Sequence, residues 1–135
     1  MAAKVFAITN NLGKNKRLKS RKLIALLFSE GKAMSVFPLR LLYLTTDQPL
    51  LLKAAFSVSS RAFKSAVDRN RIKRIMREAY RIRKQALENN LKKSSSNMLL
   101  FFNYTGKELE ATQSIATSME EIVSRLVRVV EKEGR

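Results

Sequence analysis

The stretch Arg69-Asn70-Arg71-Ile72-Lys73-Arg74-Ile75-Met76-Arg77-Glu78-Ala79-Tyr80-Arg81 carries an apolar and a basic pattern at the same helical spacing. The apolar side of the predicted helix consists of Ile72, Ile75, Met76, Ala79, Ile82 and Ala86. The basic side consists of Asn70, Lys73, Arg74, Arg77, Arg81 and Lys84, at positions i, i+3, i+4, i+7, i+11 and i+14. Ser65 and Asp68 resemble a capping box. The pattern predicts one amphipathic helix that continues to about Leu87 and packs its apolar side on a sheet.

The charges on this helix have almost a single sign. Lys73 with Arg77, and Arg77 with Arg81, are like-charged pairs four residues apart, which destabilise an isolated helix. Glu78 is the only acid between Arg69 and Leu87. An ordinary solvated helix face mixes both signs, so this pattern favours a polyanionic partner. Arginine makes bidentate contacts with phosphate, and the amide of Asn70 can contact a base edge or a ribose hydroxyl.

The whole chain is strongly basic. Its 135 residues include 27 Lys and Arg against 11 Asp and Glu, a formal net charge of +16. Such a domain needs an anionic partner, for which nucleic acid is the first candidate and a membrane surface the second. The longest apolar runs, such as 50–52 and 98–102, are far too short to span a bilayer. We expect a cytoplasmic protein that does not bind a membrane.

Two residue types are missing from the sequence. It contains neither Cys nor His, which excludes disulfides, thiolate nucleophiles, cysteine-ligated zinc and the commonest general base. The acids Asp47, Asp68 and Glu78 are scattered along the chain and form no cluster that predicts a metal site. We therefore predict no catalytic side chain and no metal ligand in this chain.

The segments that surround the basic helix complete a mixed fold. A flexible basic segment is predicted over residues 1–19, and residues 20–135 form one domain. Ser20 is a plausible N-cap for a first helix, which Gly31 ends. Strands are predicted over 37–44 and, after a turn at Asp47-Gln48-Pro49, over 50–59.

The part of the chain after the basic helix supplies one more strand and one more helix. A polar linker is predicted over 89–97, followed by a strand from Met98 to Tyr104. After Gly106 a last helix has an apolar stripe of Ile115, Met119, Ile122, Leu126 and Val130. The order of elements predicts a single α/β (α+β) sandwich.

The signature in the basic helix resembles that of a known family. Ala66-Val67-Asp68-Arg69-Asn70-Arg71-Ile72-Lys73-Arg74, followed by Arg77-Glu78, is similar to the arginine-asparagine-arginine signature of the protein component of bacterial ribonuclease P. Arg17-Leu18-Lys19, Phe28 and Gly31 resemble the family's first helix, and Tyr43 and Ser57-Val58-Ser59 its strands. The resemblance implies a four-stranded sheet, about three helices and a crossover of unusual left-handed sense.

The same resemblance implies a function. The catalyst in this family is an RNA subunit, which uses bound Mg²⁺ to remove the 5′ leader of precursor tRNA. Independently of the resemblance, self-repulsion of the net positive charge argues for a monomer without RNA. The resemblance implies that the RNA subunit is bound by Arg69, Asn70, Arg71, Lys73, Arg74, Arg77 and Arg81. A cleft between the first helix and the sheet would receive the single-stranded leader. Its predicted contacts are Phe28, Tyr43, Arg17, Lys19 and Arg61.

Three positions depart from the family's pattern. Ile24 stands where a second aromatic residue is usual, which would remove one stacking surface. Ser60-Arg61-Ala62-Phe63-Lys64 is one residue longer than the usual basic turn and contains no glycine. Asn103 and Tyr104 follow Phe102, where an arginine is frequent. These departures concern the leader cleft and leave the helix signature intact.

Three other functions fit parts of the pattern. A structural RNA-binding protein on a similar sandwich would share the charge but would not need an aromatic cleft. In a DNA-binding module the basic helix would enter a major groove, although strands rather than a helix-turn-helix partner precede it. A self-sufficient nuclease would need carboxylates that hold Mg²⁺. All three explain the sequence less completely than a ribonuclease P subunit.

Overall fold

The protein contains a four-stranded sheet with helices on both faces. A computed structural model of the chain describes residues 21–46 and 52–133. The elements in chain order are α1 (Arg21–Glu30), β1 (Lys32–Val36), β2 (Leu39–Thr46), β3 (Leu52–Val58), α2 (Ala66–Arg81), α3 (Lys84–Ser94), β4 (Asn97–Tyr104) and α4 (Thr112–Glu133). The predicted α/β sandwich with a four-stranded sheet is therefore confirmed.

The strands lie in the order β1-β2-β4-β3. β1 pairs with β2 and β2 with β4 in antiparallel fashion, whereas β3 runs parallel to β4. A parallel pair needs a crossover connection, which α2 and α3 provide here. The left-handed sense of this crossover, implied by the family resemblance, stays a prediction.

Alternation along β4 divides the molecule into two apolar layers. Met98, Leu100 and Phe102 point into the main core, which is formed by the sheet with α2, α3 and α4. Leu99 and Phe101 point to the other face, where α1 covers the sheet through Leu27 and its neighbours. Because successive side chains of a strand leave on opposite faces, one central strand supplies both layers.

Aromatic contacts hold α2 against the sheet near both of its ends. The ring of Tyr80, in the last turn, lies 5.4 Å from Phe102 and 5.7 Å from Phe56, and these two phenylalanines stack at 5.3 Å. Before the helix begins, the ring of Phe63 lies 5.8 Å from Tyr104. Aromatic pairs add stability beyond the area that they bury, so the position of α2 is well defined.

Several local signals in the sequence act as predicted. The side chain of Ser65 accepts a hydrogen bond from the Asp68 N–H at 3.4 Å and caps α2. α1 ends before Gly31, where a Cβ would lie only 2.3 Å from the Leu27 carbonyl oxygen. The apolar stripe predicted for the last helix is buried along α4, as Ile115, Met119, Ile122, Leu126 and Val130.

The structure corrects the predicted elements at three places. β1 was not predicted, because its five residues are mostly exposed. The long basic helix is two helices, since the chain turns at Ile82 and Arg83. The predicted linker 89–97 is largely the second half of α3. There are thus four helices in the described ranges rather than about three. Ser20, the segment 1–19 and the turn at 47–49 lie outside those ranges.

The break after α2 also changes the predicted faces of the basic helix. Lys84, assigned to the basic stripe, is buried and its Nζ lies 3.3 Å from Glu88 Oε1. Ile82 and Ala86, assigned to the apolar side, are exposed. A straight helix to Leu87 would keep all three in register with α2, but α3 starts in a new direction and the register is lost.

No helix in the described part of the chain is long and apolar enough to cross a membrane.

Candidate nucleic-acid interface

The solvent-exposed side of α2 is polar and largely cationic. Its outermost row is Val67, Asn70, Arg71, Arg74 and Glu78, all of which are exposed. A second row, one residue per turn, consists of the partly exposed Arg69, Lys73, Arg77 and Arg81. The buried side of the helix consists of Ile72, Met76, Ala79 and Tyr80. Six of the seven predicted RNA-subunit contacts are thus cations spaced along one surface, and the seventh is Asn70.

Arg69 differs from the other arginines because it contacts its own chain. Its Nη1 donates hydrogen bonds to the carbonyl oxygens of Phe63, at 2.6 Å, and Lys64, at 2.9 Å. These two residues belong to the loop that leads into α2. Hydrogen bonds from a charged donor are stronger than neutral ones. Arg69 therefore fixes the loop against the start of the helix.

Arg81 is also engaged within the protein. Its guanidinium forms a two-pronged ion pair with Glu78, with Nε at 3.0 Å from Oε2 and Nη2 in contact with Oε1. The hydrogen bond from Arg81 lowers the pKa of Glu78, and the same bond raises the pKa of Arg81. Glu78 is thus neutralised locally, and Asn70, Arg71 and Arg74 are exposed polar residues of this surface.

A cavity of about 220 Å³ opens on the other face of the sheet, beside α1. Its lining consists of Phe28, Arg40, Leu42, Ser57, Phe101 and Asn103. The side chain of Phe28 is 58% exposed and its ring meets that of Phe101 edge to face, with centroids 5.1 Å apart. The cavity therefore offers two aromatic rings at a half-open surface.

Strand register brings the polar residues of this cavity into one row. Arg40 of β2 lies opposite Asn103 of β4, and Asn103 lies beside Ser57 of β3. Cation, amide and hydroxyl thus cross three strands on the face that carries Phe101. Such a set can bind a phosphate and hydrogen-bond to a base or ribose next to a stacking surface.

Tyr43 lies on the wrong side of the sheet for this cavity. It packs against the main core, whereas Leu42 and Leu44 pack on the α1 side. The prediction that Phe28 and Tyr43 line one cleft is therefore wrong, because neighbouring residues of a strand face opposite ways. Phe101 is the second aromatic residue of the cleft. Phe101 was not predicted, although the alternation of side chains along a strand places it on the same face as Leu99.

The remaining predicted leader contacts lie at different places in the protein. Arg61 is exposed in the turn that follows β3, where its N–H is hydrogen-bonded to Ser59 Oγ at 3.1 Å. Arg17 and Lys19 lie outside the described residues. Ile24 is partly buried in the apolar layer beneath α1 and does not line the cavity. Arg40 is a cation of the cleft that the sequence reasoning missed.

A basic α/β sandwich with a cationic helix surface and a separate aromatic cleft has the features of a protein that binds RNA. Comparison with known proteins agrees: the family model for ribonuclease P matches residues 12–127. The chain belongs to the ribonuclease P protein family. Membership in this family implies that it is part of an endoribonuclease complex and takes part in tRNA processing.

Individual relatives support this assignment. The ribonuclease P protein component of Porphyromonas gingivalis is 33% identical over 120 residues, which cover 87% of this chain and 88% of the relative. That of Chlorobium phaeobacteroides is 41% identical over 83 residues, 58% of this chain and 57% of the relative.

Solved structures show a similar fold. A Staphylococcus aureus RNase P protein mutant with defective mRNA degradation activity has a TM-score of 0.62 at 19% identity, covering 83% of this chain and 88% of that one. A second S. aureus RNase P protein structure has a TM-score of 0.55 at 18% identity, with 82% and 94% covered.

The contacts of Arg69 lead to a prediction about stability. Arg69→Gln should lower the free energy of unfolding by about 1–3 kcal/mol, because it removes two hydrogen bonds from a charged donor. Arg71→Gln removes the same charge from an exposed position and should cost less than about 0.5 kcal/mol. Urea unfolding of both variants measures the difference. Equal midpoints for the two variants would show that Arg69 does not fix the loop.

Proposed function

We propose that this chain is the ribonuclease P subunit that binds the catalytic RNA through α2 and the 5′ leader of precursor tRNA beside α1. The observation that carries the proposal is the exposed arginine-rich surface of α2, on which Glu78 is already paired with Arg81. The reaction itself, hydrolysis of one phosphodiester in the tRNA precursor, would be catalysed by the RNA subunit. We place this activity in the cytoplasm and expect a monomer in the absence of RNA.

The α2 surface has the chemistry that an RNA backbone requires. Arg71 and Arg74 are exposed and can each donate two hydrogen bonds to a phosphate. Asn70, directly before Arg71 and one turn before Arg74, offers both a donor and an acceptor, which suits a ribose hydroxyl or a base edge. Arg69 would contribute mainly by holding the helix start in place, and Lys73, Arg77 and Arg81 by flanking charge.

The cleft beside α1 suits a leader of variable sequence. A base that stacks on Phe28 or Phe101 gains about 1–3 kcal/mol whatever its identity, because every base has an aromatic face. Arg40 would bind the adjoining phosphate, while Asn103 and Ser57 would offer hydrogen bonds. Arg61, and Arg17 and Lys19 from the N-terminal segment, would extend this path. Precursor tRNA would thereby bind more tightly than tRNA that has lost its leader.

Magnesium belongs to the RNA subunit in this proposal. Within residues 21–46 and 52–133 there is no group of three or more acidic side chains that could hold a metal ion. The protein would instead supply fixed positive charge near the RNA backbone, which lowers the concentration of cations that the folded RNA needs.

Arg74→Ala should weaken binding of the protein to ribonuclease P RNA roughly tenfold at about 0.1 M salt, because a charge-assisted contact is lost. The slope of log K against log salt should become shallower by about 0.7–0.9, the contribution of one phosphate contact. Arg128→Ala, which removes an exposed arginine from α4, is the matched control and should change neither quantity by as much. Identical slopes for both variants would exclude a phosphate contact at Arg74.

Phe28→Ala should selectively weaken binding of precursor tRNA to the assembled enzyme. The expected loss is about 5- to 150-fold, equivalent to one stacked base, and it should vanish for tRNA without a leader. Phe37→Ala provides the control, because Phe37 is a comparably exposed phenylalanine, 67% accessible, in the β1–β2 turn. Competition binding with leader-containing and leaderless tRNA measures the effect. A similar loss for both tRNAs would contradict leader stacking on Phe28.

A further inference from the structure

A pocket lies where α2 ends and α4 begins, apart from the cleft beside α1. At the break between α2 and α3, the Ile82 N–H bonds to the Glu78 carbonyl oxygen at 3.3 Å and the Arg83 N–H to that of Tyr80 at 2.9 Å. These bonds close the last turn of α2, and the chain then departs as α3. The side chain of Ile82 is left 51% exposed, although isoleucine is usually buried.

The pocket has a volume of about 530 Å³. Its apolar lining consists of Ile75, Ala79, Ile82 and Ala116. The polar lining consists of Arg74, Glu78, Arg83, Thr112 and Gln113. A pocket of this size lies in the range that accommodates small organic groups, and its apolar floor next to polar side chains is typical of such sites.

The charges around the pocket favour an anionic occupant. Arg74 is exposed at one side, and the Nη1 of Arg83 is held by the Ala79 carbonyl oxygen at 2.9 Å. Glu78 is paired with Arg81, which reduces its repulsion of an anion. The first turn of α4, which adjoins the pocket, contains no acid. A second copy of a chain with a net charge of +16 would be repelled.

We propose that this pocket binds one unstacked nucleotide of the ribonuclease P RNA, with its base on the apolar floor and its phosphate between Arg74 and Arg83. Bases in RNA loops and bulges are commonly turned outward and held on apolar or guanidinium surfaces. Gln113 donates one amide hydrogen to Thr117 Oγ1 at 3.4 Å, and its carbonyl oxygen can accept from a base amine. The proposal rests on the proposed function, namely that α2 contacts this RNA.

The test compares two neutral substitutions on exposed apolar side chains, one in the pocket and one outside both proposed RNA sites. Ile82→Ser removes part of the pocket floor, and Phe37→Ser alters a residue that is 67% exposed in the β1–β2 turn. Ile82→Ser should weaken binding to ribonuclease P RNA about three- to tenfold without changing the salt slope, since no charge is lost. Phe37→Ser should bind like the unaltered protein. Equal affinity for both variants would overturn the proposal.

A structural readout accompanies the affinities. Chemical probing of the RNA in the complex should show a single-stranded nucleotide that the unaltered protein protects and that becomes reactive again with Ile82→Ser. Gln113 replaced by photoreactive benzoylphenylalanine should crosslink to that same nucleotide. Crosslinks to a second protein copy, or protection that Ile82→Ser leaves intact, would overturn the pocket assignment.

The result for Arg74→Ala distinguishes failure of the proposed function from failure of the nucleotide pocket alone. If the unaltered protein binds the RNA and Arg74→Ala weakens it, α2 is the RNA interface whatever happens at Ile82. If the unaltered protein does not bind the RNA at all, the proposed function fails, and the pocket with it. If α2 binds but the pocket variant is inert, only the nucleotide pocket is excluded.

Discussion

Alternation of side chains along β4 is the constraint on which the rest of the structure depends. Met98, Leu100 and Phe102 are fully buried in the main core, and Leu99 and Phe101 face the opposite side. Within residues 21–46 and 52–133, the main core is closed by three helices, whereas the other face is covered by the ten residues of α1 alone. The sheet therefore keeps one sealed face and one that is partly open, and the aromatic cleft is a consequence of this imbalance.

The sealed face determines where the basic helix can lie. Tyr80 packs on Phe56 and Phe102, so α2 is held at the parallel β3–β4 pair with its arginines directed away from the core. The apolar contacts stabilise a helix whose like charges oppose its formation. One side of α2 can therefore be buried in the core while its opposite side presents a largely cationic surface.

The distribution of charge along the chain indicates which elements a polyanion would contact. Residues 105–133, which include all of α4, contain six acids against four bases, although the whole chain has a net charge of +16. The excess positive charge therefore resides on the earlier elements, including α2. A polyanion is attracted to those elements more than to α4. Two RNA segments, one at α2 with the start of α4 and one beside α1, can be bound while the exposed side of the rest of α4 remains toward solvent.

Local patterns in the sequence predicted those parts of the structure that local physics determines. The cap at Ser65, the end of α1 at Gly31 and the buried stripe of α4 depend on neighbouring residues and were correct. The strand order and the break after Arg81 depend on contacts between distant segments, which helical periodicity does not contain. The apolar pattern continues through Ile82 and Ala86, so it gave no sign that the chain turns there.

The same distinction between local and long-range determinants applies to the candidate sites. The arginine-rich surface of α2 could be predicted, because one helix and its spacing define it. To predict the cleft, one must know which face of each strand lies under α1. Tyr43 was assigned to the cleft, although its neighbours Leu42 and Leu44 occupy that face. The partners of Arg69 and Arg81 are backbone carbonyls and a nearby carboxylate. Composition alone did not distinguish these engaged arginines from the exposed Arg71 and Arg74.

The central claim is that the protein assists a catalytic RNA and has no nuclease activity of its own. The most direct measurement is 5′ processing of a precursor tRNA at low Mg²⁺ by the cognate ribonuclease P RNA alone, the protein alone, and both together. We expect efficient cleavage at the mature 5′ end only with both components, because the protein's charge offsets the shortage of cations. Cleavage by the protein alone, or no stimulation of the RNA by the protein, would contradict the account.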